Sequence, residues 1–236
     1  CLSRGLGDVY KRQGQALGVN ALAALGAADW LNWLVLGLIQ GFAQGFSIYM
    51  AQRFGAEDHE GLNRAIGATI SLSAVISILT VILSQVAMAP VLRAMNTPEE
   101  IIGGAFTYLR IMFAGIPIIM AYNVLASILR ALGDSKTPLW FLIASSVGNI
   151  VLDAVFVIVF HWGVGGVAWA TFLAQGVASA CAFWAVLHRL KSIETKEKPA
   201  LFSGAMLRRI SIVAIPSILQ QSFVSVGNLC IQGLVN

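Results

Sequence analysis

Six segments of this sequence are each longer than about 20 residues and almost free of charge, which is the length that a helix needs to cross the hydrocarbon core of a bilayer. Because backbone N–H and C=O groups in lipid must be satisfied internally, each segment predicts a helix. The chain is 58% hydrophobic and 11% charged, whereas a soluble domain carries about 25% charged residues. The sequence therefore predicts an all-α, polytopic membrane protein, with spans at about 30–52, 64–90, 104–130, 138–160, 164–187 and 210–235.

Basic residues are concentrated in three of the connections between these spans. They are Arg53, His59 and Arg64 after the first span, Arg130 and Lys136 after the third, and Arg189, Lys191, Lys196, Lys198, Arg208 and Arg209 after the fifth. Because Lys and Arg favour the cytoplasmic side of a membrane, these connections are predicted to be cytoplasmic. Residues 14–28 would then face outward, which implies an earlier span outside this chain. Prolines within the third and sixth spans, Pro117 and Pro216, predict kinks.

The first 13 residues differ in character from the rest of the sequence. The string DVYKRQ can be read from the mosaic end of a transposase sequencing adaptor, so we expect residues 1–13 to be a non-native, adaptor-derived segment. A genuine short loop is the alternative. At the other end, Asn236 closes an apolar run, and both ends therefore indicate a fragment of a longer protein.

Charge and cysteine content exclude several classes of function. Residues 14–236 contain 12 basic and 10 acidic residues, which gives no support for a nucleic-acid partner. Cys181 and Cys230 lie inside apolar runs, which excludes a disulfide framework and a zinc cluster. The sequence has no phosphate-binding glycine loop and no Ser/His/Asp or Cys/His set in register. We therefore expect a protein that is not an enzyme and has no cofactor.

The most informative polar residues are Asn149 and Asp153 in the fourth span, which are four residues apart and therefore share one helix face. A charged Asp at the bilayer centre costs about 3 kcal/mol on insertion scales, so an interaction must offset that cost. Burial favours the neutral acid and a bound cation favours the carboxylate. Asp153 could therefore exchange a proton for a metal ion or a cationic substrate. The alternative is a structural Asp that is bonded to Asn149 and a neighbouring helix.

Thr171 in the fifth span is a third candidate oxygen ligand. Its hydroxyl could complete an oxygen cage with Asn149 and Asp153. A threonine in an apolar helix more often bonds to the carbonyl one turn back, so this residue alone is a weak signal.

The string GLIQGFAQGF in the first span combines small and polar residues. Glycines recur every four residues at 37, 41 and 45, which favours close helix packing. Gln40 and Gln44 form an adjoining stripe that predicts either an interhelical hydrogen bond or one wall of a polar cavity. Tyr122 and Asn123, just beyond Pro117, are either kink partners or further lining of a substrate cavity.

Four stretches together resemble the multidrug and toxic compound extrusion (MATE) family of transporters. They are GVNALAALGAADWLNWLVLGLIQGFAQGFSIYMAQRFGAED, NTPEEIIGGAFTYLRIMFAGIP, ILRALGDSKTPLWF and GNIVLDAVFVIVFHWGVGGVAWATFLAQ. The ALGDSKTP loop followed by the N-x-x-x-D helix is the specific part of the resemblance. It implies twelve helices in two pseudo-symmetric lobes, of which the six spans here would be helices two to seven. Residues 14–190 would then belong to the N-lobe, 191–209 to the inter-lobe loop and 210–236 to the first helix of the C-lobe.

The resemblance also implies a function. In the family, an Asn, an Asp and a Thr of the N-lobe bind the coupling cation together with an acid on the first helix, and they correspond to Asn149, Asp153 and Thr171. The first-helix acid lies outside this chain. We therefore expect a secondary antiporter in the inner membrane, a monomer when full length, that exports organic cations or drugs in exchange for Na⁺ or H⁺. The alternatives are a lipid-linked oligosaccharide flippase of the same superfamily and a non-transporting membrane scaffold.

Overall fold

The computed structural model describes residues 19–94 and 99–191, together with isolated helical positions between 208 and 227. All regular elements in this part of the chain are helical. They are α1 (Val19–Gly55), α2 (His59–Ala94), α3 (Glu99–Ala114), α4 (Ile116–Ala131), α5 (Lys136–Ala154), a π-helical segment (Val155–Val159) and α6 (Gly163–Lys191). The predicted all-α fold class is confirmed.

Four helical segments are long and apolar enough to cross a membrane, namely Leu31–Gly55, His59–Arg93, Lys136–Val159 and Gly163–Lys191. Helices α3 and α4 together form a fifth candidate span that is bent by 46°. These segments correspond to five of the six predicted spans. The predicted sixth span, 210–235, lies largely outside the described residues, and so does the predicted kink at Pro216.

The bend between α3 and α4 lies where the sequence predicts a kink. Pro117 is in the first turn of α4, where its missing N–H interrupts no helical bond. Gly115 precedes this turn, and its N–H is shared between the carbonyls of Ile111 (3.1 Å) and Met112 (3.0 Å). A Cβ at Gly115 would lie 2.9 Å from Cδ2 of Phe172 in α6. The bend therefore depends on a glycine that lets α6 approach closely.

Helix α4 lies at the centre of the described bundle and packs against both α1 and α6, and small residues allow these helices to approach closely. The glycines at 37, 41 and 45 of α1 are buried, in agreement with a packing role. In α6 a stripe of buried alanines recurs every four residues, at Ala170, Ala174, Ala178 and Ala182. In contrast, Pro138 is the one buried residue of α5. Helix α5 therefore lies at the edge of the described bundle, against α6.

Helix α5 does not continue as a regular α-helix to its end. After Ala154 it becomes the π-helical segment, in which the Phe160 N–H donates to the Val155 carbonyl at 3.1 Å. Gly166 of α6 fits closely beneath this segment, because a Cβ there would lie 3.1 Å from the Cβ atoms of both Phe156 and Trp162. No feature of the sequence predicted this segment.

Carboxylates organise two short turns on the predicted cytoplasmic side. In the α1–α2 turn, Asp58 accepts hydrogen bonds from the Gly61 N–H and from Arg53, both at 2.9 Å. The pKa of Asp58 lies below its usual range, because first the Gly61 N–H and then Arg53 stabilise the carboxylate. In the α4–α5 turn, Asp134 has the same role.

The α4–α5 turn explains the polar string GDSKTP between two apolar helices. Gly133 has a φ of 82°, which favours glycine. Asp134 then accepts hydrogen bonds from the Thr137 N–H (3.0 Å) and the Thr137 hydroxyl (2.8 Å). Arg189 at the end of α6 donates to the same carboxylate at 3.3 Å. The turn therefore starts α5 and attaches it to α6.

Candidate cation site and cavity

Two of the three predicted cation ligands are in direct contact between α5 and α6. Nδ2 of Asn149 donates to Oγ1 of Thr171 at 3.2 Å, and the Thr171 hydroxyl donates to the Val167 carbonyl at 3.1 Å. A hydroxyl has one donor and two acceptor lone pairs, so one lone pair of Thr171 is available to a ligand. The amide oxygen of Asn149 is also an acceptor.

Asp153 lies one helical turn beyond Asn149 on the same face of α5. Its side chain is half-buried, and its Oδ1 atom is buried within the protein. The three residues therefore supply a carboxylate, an amide oxygen and a hydroxyl at neighbouring positions on two adjacent helices. Hard cations such as Na⁺ prefer oxygen ligands, so the donor set fits such an ion. The same carboxyl group could instead hold a proton.

One further polar residue, Tyr108, lies within electrostatic range of Asp153, and no pattern in the sequence connects the two. Tyr108 of α3 is close enough to both Asp153 and Asp29 to interact with them electrostatically. Asp29 in α1 also accepts a hydrogen bond from Trp33. Tyr108 follows Asp29 by 79 residues and precedes Asp153 by 45, and the three residues lie on different helices. Spacing in the sequence therefore could not have grouped these side chains. In the described residues, no three His, Cys, Asp or Glu side chains form a cluster.

A separate cavity of about 510 Å³ lies between α1 and α4. The residues that line it are Gln40, Ala43, Gln44, Ser47, Ile48 and Ala51 of α1, and Asn123 and Arg130 of α4. The α1 residues follow helical spacing over three turns, so they form one face. Ser47 donates to the Ser127 carbonyl at 3.3 Å, which joins the two helices beside the cavity. Gln40 and Gln44 are thus placed on a cavity wall.

Residues Tyr122 and Asn123 are neighbours in sequence but occupy different environments. Asn123 lines the cavity, and its Nδ2 donates to the Ile119 carbonyl at 2.8 Å. Tyr122 is buried, and its hydroxyl donates to the Pro138 carbonyl at 3.0 Å, which links α4 to the first turn of α5. Tyr122 is therefore not among the residues that line this cavity.

Arg130 lines the cavity, although its place there was not predicted from the sequence. It was counted among the basic residues at the predicted cytoplasmic end of the third span, and the structure places it in the last turn of α4, where it also lines the cavity. The signal was available, because Arg130 follows Asn123 by seven residues and such a spacing places both on one helix face.

Comparison with known proteins identifies the family. The MatE family model matches residues 14–155, which is more than half of the chain. The chain belongs to the MatE family. The predicted resemblance to MATE transporters is thus confirmed.

Individual members of the MatE family support this assignment. The chain is 34% identical over 224 residues to "Probable multidrug resistance protein YpnP" of Bacillus subtilis (strain 168), and the match covers 94% of this chain and 50% of that protein. Among solved structures, an inward-facing MATE multidrug transporter has a TM-score of 0.79 at 29% identity, covering 89% of this chain and 48% of that one. An outward-facing one has a TM-score of 0.79 at 30% identity, covering 92% and 48%.

These matches establish a multi-pass helical membrane protein of a multidrug efflux family. The chain spans about half the length of the curated relatives that it matches. Its relatives are described as multidrug resistance proteins and transporters rather than as enzymes.

Proposed function

We propose that this MatE protein is part of a secondary antiporter that exports organic cations or drugs in exchange for Na⁺ or H⁺. The observation that carries the proposal is the hydrogen bond from Asn149 to Thr171 between α5 and α6, one helical turn from Asp153. This contact joins an amide and a hydroxyl inside a membrane-spanning bundle, and the carboxylate follows one turn later on the same face of α5. An acid in such a place costs about 3 kcal/mol or more to insert, which favours a functional role.

Coupling requires that the cation bind one access state more tightly than the other. Neutralisation of Asp153 by Na⁺ or H⁺ would favour one state, and the substrate would favour the other. The described helices match an inward-facing and an outward-facing structure at the same TM-score of 0.79. That agreement supports a mechanism in which the lobe moves as a unit and the access change occurs between lobes.

The substrate would occupy the cavity between α1 and α4. Gln40, Gln44 and Asn123 supply amide groups, and Ala43 and Ile48 supply apolar surface. A mixed wall of this kind fits amphipathic molecules, because ligand cavities combine apolar lining with a few placed polar groups.

The test uses the full-length transporter in proteoliposomes. Efflux of a fluorescent organic cation is measured under an imposed Na⁺ gradient and, separately, under an imposed pH gradient, for the parent and for Asp153→Asn. Glu100→Gln is the matched control, because Glu100 is an exposed carboxylate in the first turn of α3. We expect flux to follow one gradient in the parent and the control, and to lose that dependence in Asp153→Asn. Parent flux that follows neither gradient, or an Asp153→Asn variant equal to the parent, would reject the proposal.

The flippase alternative is not favoured. Holding a pyrophosphate-linked lipid would require several cationic side chains in the cavity, and within the described residues Arg130 is the one Lys or Arg in its lining.

A further inference from the structure

The cavity between α1 and α4 has an unusual charge for a site that would bind plain cations. Among the described residues, its lining includes one basic side chain, Arg130, and no Asp or Glu. A guanidinium in the wall repels a ligand that carries positive charge alone, and it attracts a carboxylate or a phosphate. The described lining therefore indicates an affinity for negative charge.

Arg130 differs from two other arginines at helix ends in its ion pairing. Arg53 near the end of α1 and Arg189 near the end of α6 lie at the same predicted side of the membrane, and each donates to a turn carboxylate, at 2.9 Å and 3.3 Å respectively. Arg130 occupies the equivalent last turn of α4. Among the described residues, no carboxylate oxygen lies within the 4.0 Å that would make an ion pair with it.

Neutral hydrogen-bond donors lie on the facing wall. Gln40 and Gln44 are one helical turn apart on α1, and both are exposed to the cavity. A side-chain amide provides two N–H donors, and the guanidinium of Arg130 provides five in a planar fork that can bind two oxygens of one oxyanion. One cationic fork and two amides around a cavity of about 510 Å³ are suited to a ligand with an oxyanion at one end.

We propose that this cavity binds the oxyanion group, a carboxylate or a phosphate, of an amphipathic substrate, and that Arg130 is the residue that determines this specificity. The proposal rests on the proposed function, since it refines which substrates the transporter exports. A molecule that carries both a positive charge and a carboxylate would be preferred over the same molecule with its carboxylate esterified.

The test measures equilibrium binding to the purified full-length transporter in a neutral detergent, without any ion gradient. The probes are rhodamine B, which carries a free carboxylate and a positive charge, and its ethyl ester, which carries the positive charge alone. Fluorescence polarisation gives the dissociation constant of each. We expect the parent to bind the free acid more tightly than the ester. Arg130→Gln should weaken binding of the acid about ten-fold, as loss of one charge-assisted interaction predicts. The same variant should bind the ester at least as tightly as the parent does, because a repulsion is removed.

Two further variants separate recognition from surface charge and from misfolding. Arg130→Lys keeps the charge but loses the fork, so it should bind the acid with an intermediate dissociation constant. Lys136→Gln removes an exposed cation at the start of α5 that does not line the cavity, so it should bind both dyes as the parent does. Equal losses of acid and ester in Arg130→Gln, or a loss of acid binding in Lys136→Gln, would overturn the proposal.

Competition with phospholipids distinguishes the two possible sources of the oxyanion, a transported substrate and a lipid headgroup. Displacement of rhodamine B by phosphatidylglycerol but not by phosphatidylcholine, with the phosphatidylglycerol effect absent in Arg130→Gln, would assign the site to a lipid headgroup and overturn the substrate assignment. Failure of gradient-driven efflux has no bearing on this binding measurement. The two proposals can therefore fail separately.

Discussion

At the scale of single residues, the function proposed here depends on a few oxygen atoms placed among apolar helices. Thr171 is the residue whose role is most open to a direct test. Its hydroxyl accepts from Asn149 and donates to the Val167 carbonyl, so it fixes the amide on the face of α5 that also carries Asp153. A hydroxyl that only back-bonded within its own helix would have no such effect on α5.

Replacement of Thr171 by Val keeps the shape of the side chain and removes the hydroxyl. We expect Thr171→Val to raise the half-saturating concentration of the coupling ion in proteoliposome efflux about ten-fold, because the site loses a ligand and Asn149 loses its acceptor, at a cost of about 1 kcal/mol or more. Thr171→Ser retains the hydroxyl and should stay close to the parent. A Val variant with the parent's ion dependence would show that Thr171 only packs.

At the scale of helices, the bundle depends on close helix contacts that only a glycine permits and on turns that a carboxylate stabilises. Gly115 is the sharpest case of the first kind, since α3, α4 and α6 meet at that residue. Asp134 is the sharpest case of the second kind, because one carboxylate starts α5 and also contacts α6.

Gly115→Ala tests the close approach at the bend. Its Cβ would lie 2.9 Å from Phe172, and overpacking of this kind costs about 1–3 kcal/mol. We expect a lower thermal unfolding midpoint for the purified full-length protein, with partial recovery when Phe172→Leu is added. Gly103→Ala in α3 is the control, because a Cβ there meets nothing within 4 Å and Ala favours a helix by up to about 1 kcal/mol. Equal midpoints for the two Ala variants would contradict the account of the bend.

The pH dependence of stability tests the α4–α5 turn. The pKa of Asp134 lies below its usual range, mainly because the Thr137 N–H donates to its carboxylate, with smaller contributions from the Thr137 hydroxyl and Arg189. A lowered pKa in the folded state contributes stability that is present above the unfolded pKa of about 3.9 and is lost as pH falls through the folded pKa. Asp134→Asn should therefore lower the unfolding midpoint by a constant amount from about pH 5 to 8, and the difference should shrink below about pH 4. A difference in unfolding midpoint between Asp134→Asn and the parent that grows as the pH falls would contradict this account of the turn.

At the scale of the whole molecule, the chain spans about half the length of its curated relatives. We expect residues 14–236 expressed alone to insert into membranes but to show no gradient-driven efflux, because a transport pathway between two lobes needs both. Immunodetection in the membrane fraction controls for expression, and the full-length transporter is the positive control. Coupled efflux by the shorter chain would show that one lobe is sufficient.

Much of this architecture could be predicted from the sequence because the bilayer limits the choices. Length and apolarity located the spans, and Pro117 located the bend. The pairing of Asn149 with Thr171 could not be read from spacing, since they lie on different helices. Thr171 alone was a weak signal, and the family resemblance strengthened it. The place of Arg130 in the cavity lining was not predicted, because a basic residue at a span end was used only to orient the spans. The π-helical segment had no signal, since its sequence, VFVIV, contains neither Gly nor Pro.

The π-helical segment has a consequence for how related transporters can diverge. A π turn holds one residue more than an α turn, so Val155–Val159 is equivalent to a single-residue insertion into α5. Deleting one residue there would restore a regular helix and leave Asn149 and Asp153 in place. The aromatic side chains that follow would be rotated by about 100°. Evolution could therefore change one end of this helix by a one-codon change in length while the oxygen ligands at its middle remain fixed.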